Sequence, residues 1–478
     1  MMESKDILNT PVIIADAETS GKSPFFDQHL SSAKIRIHED KVRDTFYQEC
    51  RCENSRIPSP RALFVNGLST KTLSEGQPLN NLLKADYDFV SKYPDDFILA
   101  HNAKFDFNFT FCGFFQNLTT SNWYLWKTKN KLLCSLEMIK SIYAFKRQLS
   151  YINIPLYSLD TPSFSLENIA HENGISHDAH NSLGDCRATA ELFNLMKDES
   201  PQIIRQAMVC SNKKFVQELV RDNSFFCTAI GFGQDLYPRI LAPICSVQNN
   251  NELICLDIAQ ANPNELQHLS SWEIFLQTSE QKLDHLFVKL PLNKSKIFFG
   301  EHSYKQSFNP FNLTLDQLRN RANTIRKNLY FKEVCEGSHS FFSKRFSDPN
   351  QEDHLEKKIF ENFALPNETN FINTFNNLPW KDRWQFITDN EFLDSESRIV
   401  RLAKRSVLEF DSNLAPKIIQ DSYRKHLSKR LFNIGGDLPW NNLVKAIGEL
   451  DELKEDFPSE IVRIKEIEAY IDSRLFLS

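Results

Sequence analysis

The first 200 residues alternate between short apolar runs and segments with helical spacing. Residues 12–15 form an apolar run, and residues 33–38 alternate apolar and charged side chains as a half-buried strand does. Leucine and valine then recur at helical spacing between positions 79 and 90, before another apolar run at 97–100. This alternation predicts an α/β domain over residues 1–200.

Two further segments of this domain carry a periodic signal. Apolar residues at offsets of three and four predict a helix over residues 181–197. Residues 105–111 fit either element, since phenylalanine at every second position suits a strand whereas Phe105, Phe109 and Cys112 suit one helix face.

Beyond residue 200 the pattern changes twice. Short apolar runs separated by turn residues predict a β-rich domain over 201–350, with strand candidates at 225–232, 240–247, 253–258 and 286–292. A polar break at 347–351 is the linker candidate, and the helical periodicity that follows predicts an α-helical domain over 355–478.

Composition limits the class of protein. A chain of 478 residues with 41% hydrophobic and 25% charged residues is expected to fold into more than one domain. It has no apolar run long enough to span a membrane, and its ten cysteines form no CxxC pair. We therefore expect a monomeric cytoplasmic protein with free thiols and no membrane association.

Charge alone argues against a general nucleic-acid binder. The chain has 56 Lys and Arg against 62 Asp and Glu, for a formal net charge of -6. A polyanion would have to be bound through local basic stripes or metal ions.

The candidate chemistry begins at the end of the first apolar run. Asp16 and Glu18 stand two positions apart, so in a strand their carboxylates project from the same face. Two such carboxylates repel each other, and Mg²⁺ or Mn²⁺ is the usual ion that relieves the repulsion. On its own, this pattern is more typical of a solvated strand end.

Two later segments add to the pattern. Asp106 follows the apolar run at 97–100 after a polar turn, and His180 precedes Asp185 by five positions at the start of the predicted helix. Each is ordinary by itself, as a helix N-terminal charge or a surface pair. Four acids and one histidine in this order within one α/β domain would rarely occur together by chance, so the combination indicates a shared site.

This conjunction resembles the DEDDh superfamily of 3′-to-5′ exonucleases, which have a ribonuclease H-like fold. Within that superfamily, the chain resembles bacterial exonuclease I. The similarity lies in residues 58–69, 98–106, 162–180, 256–259 and 286–290 and in the overall length. The resemblance implies degradation of single-stranded DNA from its 3′ end to mononucleotides. It also implies that the middle domain is SH3-like and that the three domains form a C-shaped channel.

The resemblance also implies roles for these four acids and the histidine. Asp16, Glu18, Asp106 and Asp185 would hold two Mg²⁺ ions, for which Mn²⁺ can substitute, across the scissile phosphate. His180 would take a proton from the attacking water, a task suited to a side chain whose ordinary pKa lies near 6.5. The nearby His171 and His177 do not match the five-residue step and are predicted to be surface residues.

Substrate contacts follow from the resemblance with less specificity. Gly67, Leu68 and Phe105 would contact the terminal nucleotide, although each is equally suited to be a turn glycine or a core residue. Ser165 stands where the family generally has a basic residue. Two basic clusters, each also explained as a solvated helix face, are candidates for the DNA channel: Arg398, Arg401 and Arg405, and Arg424, Lys425, Lys429 and Arg430.

The family resemblance suggests one protein partner, the single-stranded-DNA-binding protein, through its acidic tail. Lys146 and Arg147 are the candidate contacts in the first domain. Two other functions stay open: an exonuclease that trims RNA or mixed nucleic acid with the same site, and a catalytically silent DNA-binding scaffold.

Overall fold

The computed structural model of the chain describes residues 7–120, 125, 128–146, 150–158, 161–178, 180–231, 236–247, 251–266, 269–270, 273–274, 276–277, 286–292, 295–305, 311–345, 354–360, 365–390, 397–432 and 438–477. Among these residues, none of the helices has the length and apolarity needed to cross a lipid bilayer.

A five-stranded mixed sheet forms the centre of the first domain. Its strands are β1 (Val12–Thr19), β2 (His29–His38), β3 (Lys41–Glu49), β4 (Phe97–Ala100) and β5 (Lys131–Cys134), in the spatial order β3-β2-β1-β4-β5. The first three strands are antiparallel to one another, whereas β4 is parallel to both β1 and β5. The strands predicted at 12–15, 33–38 and 97–100 are confirmed.

Helices cover both faces of this sheet. The helices that the structure describes between residues 60 and 222 are α1 (Pro60–Asn66), α2 (Thr70–Glu75), α3 (Leu79–Ser91), α4 (Ala103–Gln116), α5 (Ser135–Lys146), α6 (Leu166–Glu172), α7 (Ser182–Glu199), α8 (Pro201–Cys210) and α9 (Lys213–Asp222); a short hairpin of β6 (Leu156–Ser158) and β7 (Thr161–Pro162) lies before α6. The last of them, α9, packs on the sheet of the middle domain instead. The ambiguous segment 105–111 is helical because it lies within α4, and the helix predicted over 181–197 is α7.

The two faces of the sheet bury alternate residues of β1. Ile14 packs with residues of α5, α7 and α8, whereas Ile13 packs with residues of α3 and α4. Asp16 and Glu18 continue the Ile14 side of the alternation, so they project toward α7. The α/β class predicted for this domain is therefore confirmed.

The middle domain contains a five-stranded antiparallel sheet. Its strands are β8 (Phe226–Ile230), β9 (Tyr237–Val247), β10 (Glu252–Asp257), β11 (Phe287–Pro291) and β12 (Phe299–Gly300), in the order β11-β10-β9-β8-β12. One face packs on α10 (Leu315–Lys327) and α11 (Leu329–Arg345), and the other packs on α9. The β-rich character is confirmed, whereas the SH3-like assignment and the domain boundaries stay predictions.

The last part of the chain is helical, as predicted. It contains α12 (Pro366–Asn377), α13 (Trp380–Asp389), α14 (Arg398–Asp411), α15 (Lys417–Phe432), α16 (Leu443–Asp456) and α17 (Ile461–Ser473). The linker predicted at 347–351 lies outside the described residues. Leu450 and Ile467, from the last two helices, share a core with Leu30 and Leu63 of the first domain. These helices therefore pack directly beside the segment that contains Gly67 and Leu68.

Candidate active site

The site is built where β1 extends beyond its neighbour β4. The two strands pair at Val12, Ile13 and Ile14, and the later residues of β1 run past this pairing. Asp106 lies in the first turn of α4, where burial raises its pKa and the nearby backbone N–H of Ala17 opposes that larger effect. The Asp106 carboxylate is therefore beside the strand segment that carries Asp16 and Glu18.

Helix α7 supplies the next acid. Asn181 caps the helix by accepting hydrogen bonds from the N–H groups of Leu183 and Gly184, which places Asp185 in the first turn. Carboxylate oxygens of Asp16, Glu18 and Asp185 lie within 4.8 Å of one another, and each residue is partly buried. Three convergent carboxylates are a donor set that suits a hard divalent cation.

The electrostatics of the cluster show how closely the acids interact. Burial, followed by the charges of Asp106, Asp185 and Glu18, raises the pKa of Asp16 well above its usual range. Burial, followed by the charges of Asp185 and Asp106, raises the pKa of Glu18 to about 8, and burial raises the pKa of Asp106 to about 7. The Asp185 pKa is also raised by burial. The acids thus compete for ionisation unless a cation neutralises them. All four predicted ligands are therefore electrostatically linked, although Asp106 is not among the three whose oxygens lie within 4.8 Å.

His180 lies on the open side of this cluster. It precedes α7 with a positive φ of 62°, is exposed, and lines a cavity together with Glu18, Gly67 and Leu68. Its charge and its backbone N–H both act on Asp185. The residue predicted to take the proton therefore borders the space beside the acids.

His177 is not the surface residue that we predicted. Its Nε2 donates a hydrogen bond to Oδ1 of Asp185, and its side chain is only 8% exposed. The loop that contains His177 and Asp178 can approach α7 closely because residue 184 is glycine. A Cβ at that position would lie 2.4 Å from the carbonyl oxygen of Asp178. The five-residue step could not reveal this contact, since the loop brings His177 back over the first turn of the helix. His171 is exposed, as predicted.

Lys34 is a second residue near the acids that the sequence motif does not include. It lies on β2 opposite Ala15, forms a buried ion pair with Asp86, and donates a hydrogen bond of 3.1 Å to Oγ of Ser32. Its positive charge lowers the pKa of Asp16 and of Asp106, opposing the effect of burial. In the sequence, the only indication of this role is a lysine placed within a predicted half-buried strand.

The predicted substrate residues are placed differently from one another. Gly67 ends α1 with a φ of 64° and lines the cavity, as does Leu68, which is also packed in the core. Phe105 is half-buried, with its ring 4.8 Å from that of Phe109. Ser165 is exposed and caps α6. Gly67 and Leu68 therefore border the acidic site directly.

The two basic clusters are only partly solvated. Arg405 and Arg430 lie 3.4 Å and 2.8 Å from the buried carboxylate of Glu356, so both are engaged inside the protein. Lys425 and Lys429 are exposed, as a DNA-facing or solvated helix face requires. Glu356 therefore holds one arginine of each cluster in the interior, so neither a solvated face nor a DNA contact describes Arg405 and Arg430.

Comparison with known proteins agrees with this geometry. Residues 13–193 match the model of the RNase_T family, described as an exonuclease. These residues therefore resemble an exonuclease domain. Exodeoxyribonuclease I of Haemophilus influenzae is 27% identical over 216 residues, which are 43% of this chain and 44% of that protein. Exodeoxyribonuclease I of Buchnera aphidicola from Acyrthosiphon pisum is 25% identical over 362 residues, which are 73% of this chain and 85% of that protein.

The similarity in fold extends beyond the exonuclease domain. The structure of Escherichia coli exonuclease I in complex with a dA16 oligonucleotide matches with a TM-score of 0.82 and 18% identity, covering 98% of this chain and 100% of that one. This chain spans 44% of the length of the Haemophilus protein that it matches, whereas the similarity in fold to the Escherichia coli structure covers 98% of this chain. The resemblance to bacterial exonuclease I is therefore confirmed.

Proposed function

We propose that the chain is a Mg²⁺-dependent 3′-to-5′ exonuclease that degrades single-stranded DNA processively to 5′-mononucleotides, in DNA repair and recombination. The single observation that carries this proposal is the convergence of Asp16, Glu18 and Asp185 within an exonuclease domain, with His180 at the open side. The names of the relatives, exodeoxyribonuclease I, support DNA as the substrate.

The chain's residues have separate tasks in this reaction. Asp16, Glu18, Asp106 and Asp185 would hold the divalent cations, and their raised pKa values fit a site that is completed by positive charge. When bound, the cations stabilise the charge on the phosphodiester and lower the pKa of water. His180 would accept the proton of the attacking water at its imidazole ring.

The substrate is proposed to enter with its 3′ end in the cavity beside Glu18. Gly67 and Leu68 line this cavity, so Gly67 would allow close approach of the terminal nucleotide and Leu68 would offer apolar surface to a base. Phe105 is half-buried and does not line the cavity, and its contact with the base stays a proposal. Ser165 would contribute a hydroxyl near the strand. Solved complexes of exonuclease I with dA16 and dT13 oligonucleotides support the proposal of a single-stranded DNA ligand.

We also propose that the acidic tail of the single-stranded-DNA-binding protein is a partner. The support is the solved complex of exonuclease I with the C-terminal peptide of that protein. The candidate contact Lys146 already forms an ion pair of 3.1 Å with Glu199, so tail binding there would require an exchange of partners. Arg147 lies outside the described residues. The monomeric state and the cytoplasmic location stay predictions.

The test is a degradation assay with oligonucleotides labelled at either the 3′ or the 5′ end. Single-stranded DNA, duplex DNA and RNA of one sequence are incubated with Mg²⁺. We expect a 3′ label to be released at once as a mononucleotide from single-stranded DNA, without a ladder of intermediates from the 5′-labelled strand. Equal or faster cleavage of RNA would favour the RNA-trimming alternative. Absence of hydrolysis with both Mg²⁺ and Mn²⁺ would favour the silent scaffold.

A further inference from the structure

Two rows of side chains cross the first sheet on the face that carries the acids. The register places the rows as Asp16, Ala33 and Tyr47, and as Glu18, Ser31 and Glu49. Residues paired across neighbouring strands project from the same face of a sheet. Helix α7 covers the middle of both rows, since Cys186 contacts Ala33 and Ser182 contacts Ser31. Beside the N-terminus of this helix, the second row borders open space.

A cavity of about 170 Å³ occupies this space. Glu18 and His180 line one side of it, Tyr47 and Glu49 line the opposite side, and Gly67 lies on its border. Two strand intervals of roughly 4.8 Å separate the backbones of β1 and β3, or about 10 Å in all. Glu18 and Glu49 therefore face one cavity from strands that are about 10 Å apart.

Glu49 is held in place by hydroxyl groups. Its Oε1 accepts a hydrogen bond from the Tyr47 hydroxyl, and its Oε2 accepts one of 3.0 Å from Oγ1 of Thr72. Among the residues that the structure describes, no lysine or arginine forms an ion pair with Glu49. The carboxylate therefore keeps lone pairs for another donor at the edge of the cavity.

We propose that Glu49 determines which 3′ ends are accepted, by taking a hydrogen bond from the terminal 3′-hydroxyl and repelling a terminal 3′-phosphate. The inference rests on the proposed exonuclease function and adds a specificity-determining residue to it. A carboxylate accepts a hydrogen bond from a hydroxyl, whereas a phosphate at the same place brings like charges together. Tyr47 and Thr72 are positioning residues, since they orient the carboxylate.

The experiment uses one oligonucleotide sequence with three ends: 3′-hydroxyl, 3′-phosphate and 3′-deoxy. Binding is measured by fluorescence anisotropy in EDTA, and degradation is measured separately with Mg²⁺. The variants are Glu49→Gln and the control Glu75→Gln, which removes the same charge from an exposed position of α2. We expect the wild type and the control to prefer the 3′-hydroxyl end, and Glu49→Gln to reduce the hydroxyl-to-phosphate ratio at least tenfold in both assays.

Glu49→Asp tests the role of charge if the amide variant folds poorly. It retains the carboxylate, so its hydroxyl-to-phosphate ratio should lie between those of the wild type and Glu49→Gln. An unchanged ratio in Glu49→Gln, or equal ratios for Glu49→Asp and Glu49→Gln, would overturn the assignment. Failure of the wild type to hydrolyse any of the three ends would refute the proposed function instead, and the binding ratios in EDTA would still judge Glu49.

Discussion

The Nε2 of His177 donates a hydrogen bond to the Asp185 carboxylate, whereas His180 borders the open cavity on the other side of the cluster. Replacing each histidine is therefore expected to change a different property of the enzyme, metal affinity for His177 and turnover for His180. A residue that orients a metal ligand affects metal affinity, with typical losses of about 10 to 100-fold. A residue that takes the proton affects turnover even when the metal is saturating.

We predict that His177→Leu raises the Mg²⁺ concentration for half-maximal activity about tenfold while leaving kcat at saturating Mg²⁺ within a few-fold of the wild type. His180→Asn should instead lower kcat by about 100-fold or more at every Mg²⁺ concentration. Initial rates measured across a Mg²⁺ titration separate the two. If His177→Leu lost as much kcat as His180→Asn at saturating metal, the positioning role would be wrong.

The stability of the metal-free protein should fall as pH rises. Glu18 has an ordinary pKa of 4.5 that is raised to about 8 in the folded protein. Between these values the folded state holds a proton that the unfolded chain has released, so the free energy of unfolding decreases with pH. Thermal melting in EDTA across this window is the measurement.

Neutral replacements at the site should remove part of this dependence. Asp16→Asn deletes a buried carboxylate that is surrounded by other acids, so at pH 8 in EDTA it should melt a few degrees above the wild type. The same variant should have no measurable exonuclease activity, because it lacks a cation ligand. A variant that is inactive and also less stable than the wild type would indicate that Asp16 is mainly structural.

Divalent-metal affinity should change with pH in the opposite direction to stability. Cation binding has to displace the protons that the raised pKa values of Glu18, about 8, and Asp106, about 7, retain near neutrality. Calorimetric titration of Mn²⁺ should therefore give tighter binding at pH 8.5 than at pH 6.5, with proton release that diminishes as pH rises. Affinity independent of pH over this range would mean that these acids are not the ligands.

The Glu356 cluster is predicted to support the fold and not the DNA. Burial would raise the pKa of Glu356, but Arg430 and Arg405 hold it at about 2. Removing the charge leaves Arg405 and Arg430 without their shared carboxylate, so Glu356→Gln should destabilise the protein by roughly 3 kcal/mol in denaturant melts.

An exposed lysine of the same region provides the contrast. Lys425→Ala should leave stability nearly unchanged and, if this helix face contacts the strand, reduce the salt dependence of oligonucleotide binding by about one counterion. Anisotropy titrations at several salt concentrations measure this slope. A larger change of the slope in Glu356→Gln than in Lys425→Ala would contradict the division of roles.

The alternation of apolar residues was sufficient to predict the order of the elements. Runs at 12–15 and 97–100 became β1 and β4 because buried strands and amphipathic helices leave different periods in a sequence. The segment around Phe105 stayed ambiguous, since phenylalanine at alternate positions also satisfies two faces of a buried helix. Helix α4 covers the sheet while its other residues contact later parts of the chain, so both faces are partly apolar.

The motif identified residues by type and order, but it could not identify their neighbours. Asp16 and Asp185 were predicted because the resemblance to the DEDDh exonucleases implies acids in a set order. His177 and Lys34 were missed because their positions depend on a loop that folds back at Gly184 and on an ion pair with Asp86. Similarly, the sequence alone suggests that Arg405 lies on a basic surface, because its partner Glu356 is distant in sequence.

The most direct test of the account is a crystal structure grown with Mn²⁺ and a 5′-mononucleotide, with anomalous difference maps recorded at the manganese edge. We predict anomalous density enclosed by the carboxylates of Asp16, Glu18 and Asp185, with the phosphate of the nucleotide adjoining it and His180 facing that phosphate. Manganese bound elsewhere, with these three carboxylates empty at saturating Mn²⁺, would contradict the assignment of the site.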